Sequence, residues 1–368
     1  MRKTLVCALL AAALCFTCAG AFASGVTVRA LTPFADVDFA AQAYMDIITA
    51  WEEATGNLVE DYSGLAGEDW LAQMLELTGS GEADLLIVPV GSGLTGQQAV
   101  TAQELMQAAP QLGARAFASM AEADGSVLLT PVRLNWEALY VNEDLLLAAG
   151  LSVPSTFDEL LTVCAALRER GITPIANALC EWSEITLDCA ALIGAPAEVY
   201  GSEQSRAGAK DALAALVAAG AFGEDPWNAA DGETEALFLS GQAAMRFDSD
   251  ALAQRVSAER AQHVRVVSIG GIDGQARTAL VGVPSFGLTL SRACWEDPAR
   301  REAALSLAAE LLGGESAALL TSGAQGALGE SIAQLTASAT DCTGLLYDFD
   351  PDGFDAWSES VIASLMAQ

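Results

Sequence analysis

DGSVLLTPVRLNWEALYVN, Asp124–Asn142, is the stretch whose reading decides the fold. Asp124-Gly125 is a tight-turn pair, because glycine tolerates the positive φ that such turns need. An apolar run follows from Val127 to Val132, then a polar, aromatic step at Asn135-Trp136-Glu137, then a second apolar run from Leu139 to Val141. Asn142 is placed to cap a helix over Glu143–Ala149 that stops at Gly150. Two strand-like runs around a kink describe a chain leaving one α/β unit and entering another. Trp136 is then expected to face the cleft between them.

Upstream of this stretch the pattern is β-α-β-α-β. Strands are predicted at Val26–Leu31, Leu58–Tyr62 and Ala83–Val90. Helical spacing of Tyr44, Ile47, Ile48 and Trp51, and of Trp70, Met74, Leu75 and Leu77, fills the gaps. The third strand is apolar on both faces, as a buried parallel strand requires. Downstream the alternation resumes. Thr156-Phe157-Asp158-Glu159 is a capping box, opening a helix that closes at Gly171. Strands follow at Ile172–Ala176, Ala243–Phe247, Val264–Ile269, Thr278–Val283 and Gly287–Leu290, and Asp297 caps a helix through Leu312. No Pro- or Ser-rich linker separates the two halves, so the chain is expected to cross between them more than once.

At 368 residues two domains are the better expectation. Arg2 and Lys3, the apolar Leu5–Leu14 and the small-x-small Ala21-Phe22-Ala23 read as a signal peptide over residues 1–23. The exported chain then starts near Ser24, with no lipid anchor, since LCFTC lacks the Leu-small-small-Cys pattern. Loss of Arg2 and Lys3 leaves 15 basic against 48 acidic residues, a net charge of −33, and Lys210 as the sole lysine. That charge repels nucleic acid and anionic lipid. Five cysteines remain, Cys164, Cys180, Cys189, Cys294 and Cys342, with no CxxC among them. Neither a zinc site nor a full disulfide framework is indicated, although Cys180 and Cys189 are able to pair.

Three motifs invite chemistry and each has a plainer explanation. Gly91-Ser92-Gly93-Leu94-Thr95-Gly96 fits GxGxxG after a strand. Export away from nicotinamide pools and the lack of a ribose-binding acid argue against a dinucleotide, so no cofactor is expected. Asp348-Phe349-Asp350-Pro351-Asp352-Gly353 with Glu359 fits a calcium loop, yet Pro351 stiffens the turn and Asp355 stands where an apolar residue belongs. An acidic turn ahead of a helix explains it as well, and no metal ligands are assigned. His263, the only histidine, has no GxSxG turn to serve and reads as structural.

Carboxylates and aromatics at strand ends carry more. Asp36 and Asp38 follow the first strand, and Asp248 and Asp250 follow Ala243–Phe247, where open α/β sheets bind ligands. Trp136 and Trp182 lie in similarly polar loops. Carboxylates accept hydroxyl hydrogen bonds while aromatic faces cover the C–H side of a sugar ring. A capping or core role fits any one of these residues equally well; the set points to a ligand.

Five further stretches carry a family resemblance: WEEATGNLVEDYS (51–63), SGEADLLIV (80–88), 124–161, GITPIAN (171–177) and SGQAAMRFDSD (240–250). With 281–307, they resemble the extracellular solute-binding proteins of ABC importers, the sugar-binding group that includes maltose-binding protein. The resemblance implies a type II periplasmic-binding-protein fold, two α/β lobes joined by a multi-crossing hinge. It places 24–133 plus 264–312 in lobe 1 and 134–263 plus 313–368 in lobe 2. It also implies a non-enzymatic binding protein in which Asp36, Asp38, Asn135, Trp136, Trp182, Asp248, Asp250 and Phe286 would line the cleft. The implied partners are ABC permease subunits, for a monomer in the periplasm or at the cell surface. Carbohydrate is the leading ligand class. A polyamine or other cation is the alternative that the acidic charge suits, and a secreted carboxylate-pair hydrolase is a distant one.

Overall fold

The computed structural model describes residues 25–179, 184–275, 281–338, 340–341 and 351–367. The proposed signal segment, Cys180, Trp182, Cys342, Asp348 and Asp350 lie outside the described residues. Among the described residues nine strands form one curled sheet: β1 Thr27–Leu31, β2 Leu58–Asp61, β3 Leu85–Pro89, β4 Thr130–Asn142, β5 Thr173–Ile175, β6 Ala243–Ser249, β7 Val264–Val267, β8 Val281–Leu290 and β9 Thr340–Asp341. Their order is β2-β1-β3-β8-β4-β6-β5, with β7 on β4 and β9 on β8. The first three are parallel to one another, as are β5 and β6 and β8 and β9, whereas β8 runs antiparallel to β3 and β4, and β4 to β6 and β7. Two parallel-sheeted units joined through long antiparallel strands make this the two-lobed type II periplasmic-binding-protein fold.

Helices cover the sheet in chain order: α1 Ala41–Thr55, α2 Glu68–Gly79, α3 Ala102–Ala108, α4 Glu143–Ala148, α5 Phe157–Glu169, α6 Glu184–Gly194, α7 Glu203–Ala218, α8 Asp231–Leu239, α9 Arg292–Glu296, α10 Pro298–Leu312, α11 Gly314–Ser322, α12 Gly326–Ala337 and α13 Pro351–Met366. Local signals set several ends. Gly56 closes α1 in the left-handed conformation, at φ 72°. Thr156 and Glu159 form the reciprocal capping box of α5, and Asp297 accepts from the amides of Ala299 and Arg300 at the start of α10. Asn142 does not cap α4 with its side chain; the Glu143 amide donates instead to the His263 carbonyl at 2.8 Å.

β4 is one continuous strand of 13 residues where the sequence suggested two runs and a kink. The irregularity lies earlier, at register shifts between Pro131 and Arg133 and between Arg133 and Leu134. What changes at Trp136-Glu137 is the partner. Thr130 to Trp136 pair with β8, and Glu137 to Val141 pair with β6, while Leu139 to Asn142 also pair with β7. The described part of the predicted strand Thr278–Val283, from Val281 on, is likewise joined with Gly287–Leu290 in β8, whose ladder with β3 and β4 runs from Gly282 to Leu290; Thr278 lies outside the described residues.

Three apolar clusters hold the layers. β3 feeds two of them, with Leu85 and Ile87 packing beside Tyr44, Ile48, Trp51 and Leu307, and Leu86 and Val88 packing on the opposite face. Each fully buried aliphatic side chain stabilises by about 2 kcal/mol relative to exposure. The second half of β4 sends Leu139 and Val141 into a cluster with α5, α6 and α7, which α13 completes through Phe354, Val361 and Leu365. The remaining cluster runs the length of β4, from Leu31 and Trp70 through Trp136 and Tyr140 to Phe238, Val266 and Ile332. Two segments sit differently from the sequence boundaries. β7, assigned by sequence to the first lobe, pairs with the second half of β4; α11, assigned to the second, buries Leu320 beside Ile48 and Trp51.

Candidate ligand-binding site

The loop after β1 runs over Thr32–Ala40 and is held from several sides. The Thr32 and Ser63 hydroxyls meet at 2.6 Å, and the Gly64 amide donates to the Thr32 carbonyl at 3.1 Å. Asp36 stands exposed at φ 52°, a left-handed conformation that costs most residues energy but suits Asp better than most. Asp38 is committed to the protein. Its two oxygens accept from Arg133 Nη1 at 2.8 Å and Nη2 at 2.6 Å, and Oδ1 also accepts from the Ala40 amide at 2.9 Å.

Arg133 is the residue that sequence reading missed. Its guanidinium lies 4.7 Å from the Phe34 ring, 4.3 Å from Phe39 and 5.8 Å from Phe286, and its Nε donates to the Leu320 carbonyl at 2.8 Å. A planar cation with ring faces around it and a forked carboxylate contact is geometry that lysine does not reproduce. Asp38 and Phe286 are therefore brought together, by a residue whose local sequence carries no marker for it. Phe39 keeps one side toward solvent, with Val37 and Leu65 also exposed nearby in sequence and at the adjacent strand end.

The glycine-rich turn after β3 is folded against the protein. Gly91 and Gly93 both take positive φ, 74° and 81°, and the Gly93 backbone lies beside the Glu122 carboxyl. Burial pushes the Glu122 carboxyl above its ordinary range.

On the other side, Arg246, Phe247 and Asp248 lie in the second half of β6, ahead of Ser249. Arg246 Nε donates to Asp248 at 2.5 Å and Nη2 to Asp231 at 2.8 Å, while Nη1 reaches the Ala176 carbonyl and the Thr234 hydroxyl. The two carboxylates strengthen the guanidinium's hold on its proton in spite of its burial. Asp248 is thereby also committed. Asn177 explains the GITPIAN stretch: its amide accepts from the Phe247 N–H and donates to the Phe247 carbonyl, both at 2.8 Å, extending the β5 side of the ladder. Asp250 Oδ1 accepts from the Trp136 amide at 3.4 Å, and burial pushes its carboxyl up to about 6.

Trp136 does not face an open cleft. It is 1 % exposed and stacks on Tyr140 with ring centres 6.0 Å apart, because strand alternation sends it, with Ala138 and Tyr140, into the cluster along β4. Asn135, its neighbour, is the exposed position of the strand. Trp182 lies outside the described residues. From Pro351 onward the calcium-like stretch is helical, the backbone of Asp352–Glu359 lying along α13, and Asp348 and Asp350 lie outside the described residues. Among the described residues no group of three or more metal-binding side chains converges. His263 Nδ1 lies 3.2 Å from Asp144 with both side chains exposed, and Cys189 is a buried free thiol.

Residues 37–266 match the model of the family described as bacterial extracellular solute-binding protein. This chain belongs to that family. No curated protein matches the sequence. Among solved structures, this solute-binding protein resembles a probable secreted solute-binding lipoprotein from Streptomyces coelicolor, at 16 % identity and TM-score 0.59, over 93 % of this chain and 98 % of that one. It also resembles the bacterial solute receptor AcbH, described as having an exclusive preference for β-D-galactopyranose, at 13 % identity and TM-score 0.58 over 94 % and 96 % of the chains. The maltose-bound MalE3 of T. maritima follows at 15 % identity and TM-score 0.50, over 94 % and 95 %. At these identities the likeness is one of fold. In the described part of this solute-binding protein no single helix is long and apolar enough to cross a membrane.

Proposed function

We propose that this solute-binding protein is the non-enzymatic capture subunit of an ABC importer, working in the periplasm or at the cell surface, and that its ligand is a neutral carbohydrate. The observation that carries the ligand class is the state of the strand-end aspartates. Asp38 is neutralised by Arg133 and Asp248 by Arg246, each through short charge-assisted bonds. Of the four carboxylates that would suit a polyamine, two are balanced by guanidinium groups of the protein itself. A site with polar acceptors, little net charge and exposed aromatic surface fits a ring with hydroxyls on its edges and C–H groups on its faces.

In this reading Asp36 and Asn135 offer polar contacts from the two sides of the crossing, and Phe39 and Phe286 offer ring faces. Asp38 and Asp248 hold the loops that present them. The lobes meet at Trp136-Glu137, where β4 changes partner, and closure around the ligand creates the form that the permease subunits recognise. A thermal-shift panel of mono- and oligosaccharides against spermidine and putrescine tests the class. A rise of several degrees with at least one sugar and none with the polyamines supports it. A rise with spermidine alone overturns it.

A further inference from the structure

Glu137 lies where β4 exchanges β8 for β6, and ligand capture as described gives it no task. It is 5 % exposed, and its Oε2 finds no hydrogen-bond donor among the described residues. The side chain lines a cavity of about 30 Å³ together with Leu139, Cys189, Ile193, Phe247 and Ser268. That volume suffices for one water molecule. An ionised carboxylate in such a place needs a cation or several donors, and without them the anion is strongly disfavoured.

The surroundings supply the opposite of a cation. Asp188 and Glu184 approach from α6, Asp248 from β6 and Asp250 from the turn that follows it, and all four oppose a further negative charge on Glu137. The nearby guanidinium groups are spent elsewhere. Arg246 is bonded to Asp248 and Asp231, and Arg255 pairs with Glu235 at 2.9 Å and reaches Asp248 at 3.8 Å. α6 also presents the Cys189 thiol, itself held neutral by burial, and the segment after β7 presents Ser268, which is uncharged. The Tyr200 hydroxyl donates to Asp188.

We propose that Glu137 is a proton-binding site at the lobe crossing, carrying its hydrogen while the β4 ladders are closed and releasing it when they part. Parting exposes the carboxyl to water, where it ionises as an ordinary glutamate does. Each opening of β4 then releases one proton to solvent, O–H bond breaking and hydronium or buffer taking the proton. By linkage the opening equilibrium rises about tenfold per pH unit once the pH exceeds the ordinary glutamate range, until the closed form itself ionises. The inference is independent of which ligand the cleft takes, since it concerns the unliganded chain.

Hydrogen exchange of the whole chain, followed by mass spectrometry on peptides covering residues 134–142 between about pH 5 and about pH 8, reads this directly. After correction for the intrinsic base-catalysed rate, the wild-type opening constant is expected to rise about tenfold per pH unit over part of this range. Glu137→Gln is expected to remove the rise above about pH 6, beyond the range in which Asp250 contributes, and Asp188→Asn to make it level off at lower pH. A wild-type constant that does not change with pH, or a Glu137→Gln protein with the wild-type slope, overturns the proposal. If Glu137→Gln does not fold, infrared spectroscopy of the wild type at about pH 8, where ordinary carboxyls are ionised, decides. A protonated-carboxyl carbonyl band that persists there, and is lost at lower pH in Asp188→Asn, supports the proton site; its absence overturns it.

Discussion

Arg133 and Asp38, 95 residues apart in sequence, form a two-pronged ion pair with contacts of 2.8 and 2.6 Å between the first-strand loop and β4. Both side chains are largely buried, 10 % and 15 % exposed, so removing one partner strands the other's charge away from water. Arg133→Met or Asp38→Asn alone is expected to cost about 3 kcal/mol in urea unfolding. The double variant should recover much of that loss, because methionine beside asparagine leaves no orphaned charge. Arg133→Lys should recover little, since an ammonium neither forks onto the carboxylate nor stacks against Phe34 and Phe39. A lysine variant as stable as wild type would show that charge alone, without the fork, holds the loop.

Asn177 is bonded twice to Phe247, as donor to its carbonyl and acceptor from its amide, and is itself buried. Asn177→Ala leaves both backbone groups of a central strand without partners, and each unsatisfied group costs about 1–3 kcal/mol. The expected loss is about 3 kcal/mol in the urea midpoint extrapolation. Asn177→Asp should be at least as harmful at neutral pH, because a carboxylate accepts from the amide yet has nothing to donate to the carbonyl.

Gly208 of α7 meets Gly194 at the end of α6, and a β-carbon built on Gly208 would stand 2.5 Å from the Gly194 carbonyl oxygen. Backbone against backbone leaves no flexible side chain to give way. Gly208→Ala is expected to lower stability by about 2 kcal/mol through overpacking, despite alanine's better helix propensity. Thermal unfolding of Gly208→Ala beside Gly232→Ala checks the cause. Gly232 lies in α8 with open space around its added carbon, so its substitution should be neutral or mildly stabilising.

How far the sequence could be read depended on the range of the forces involved. Local signals survived intact: the Thr156–Glu159 capping box, the Asp297 cap and the two-faced apolar β3 all appear where their spacing put them. The order of strands and helices followed from the same short-range patterns. What failed was decided by partners far along the chain. The Glu143 amide found the His263 carbonyl, so Asn142 was not needed as a cap. Trp136 looked like a ligand contact because its sequence neighbours are polar, but alternation within a continuous strand sends it inward beside Ala138 and Tyr140. Arg133 carried no local clue at all: its acid, its rings and its carbonyl come from three distant segments.

Asp250 makes the pH dependence of folding measurable apart from Glu137. Burial pushes its carboxyl up to about 6, whereas aspartate in an unfolded chain titrates near about 3.9. Between those values the folded protein keeps a proton that the unfolded chain has released, so this group's contribution falls as the pH rises from about 4 to about 6 and is level above that. Asp250→Asn removes the titration while leaving an oxygen to accept from the Trp136 amide at the same place. Its stability relative to wild type should therefore improve by about 2 kcal/mol on going from pH 4 to pH 7. Urea unfolding of both proteins at the two pH values measures the difference. A gap that does not change with pH would mean that Asp250 is ionised throughout, with the Trp136 amide and neighbouring guanidinium groups outweighing its burial.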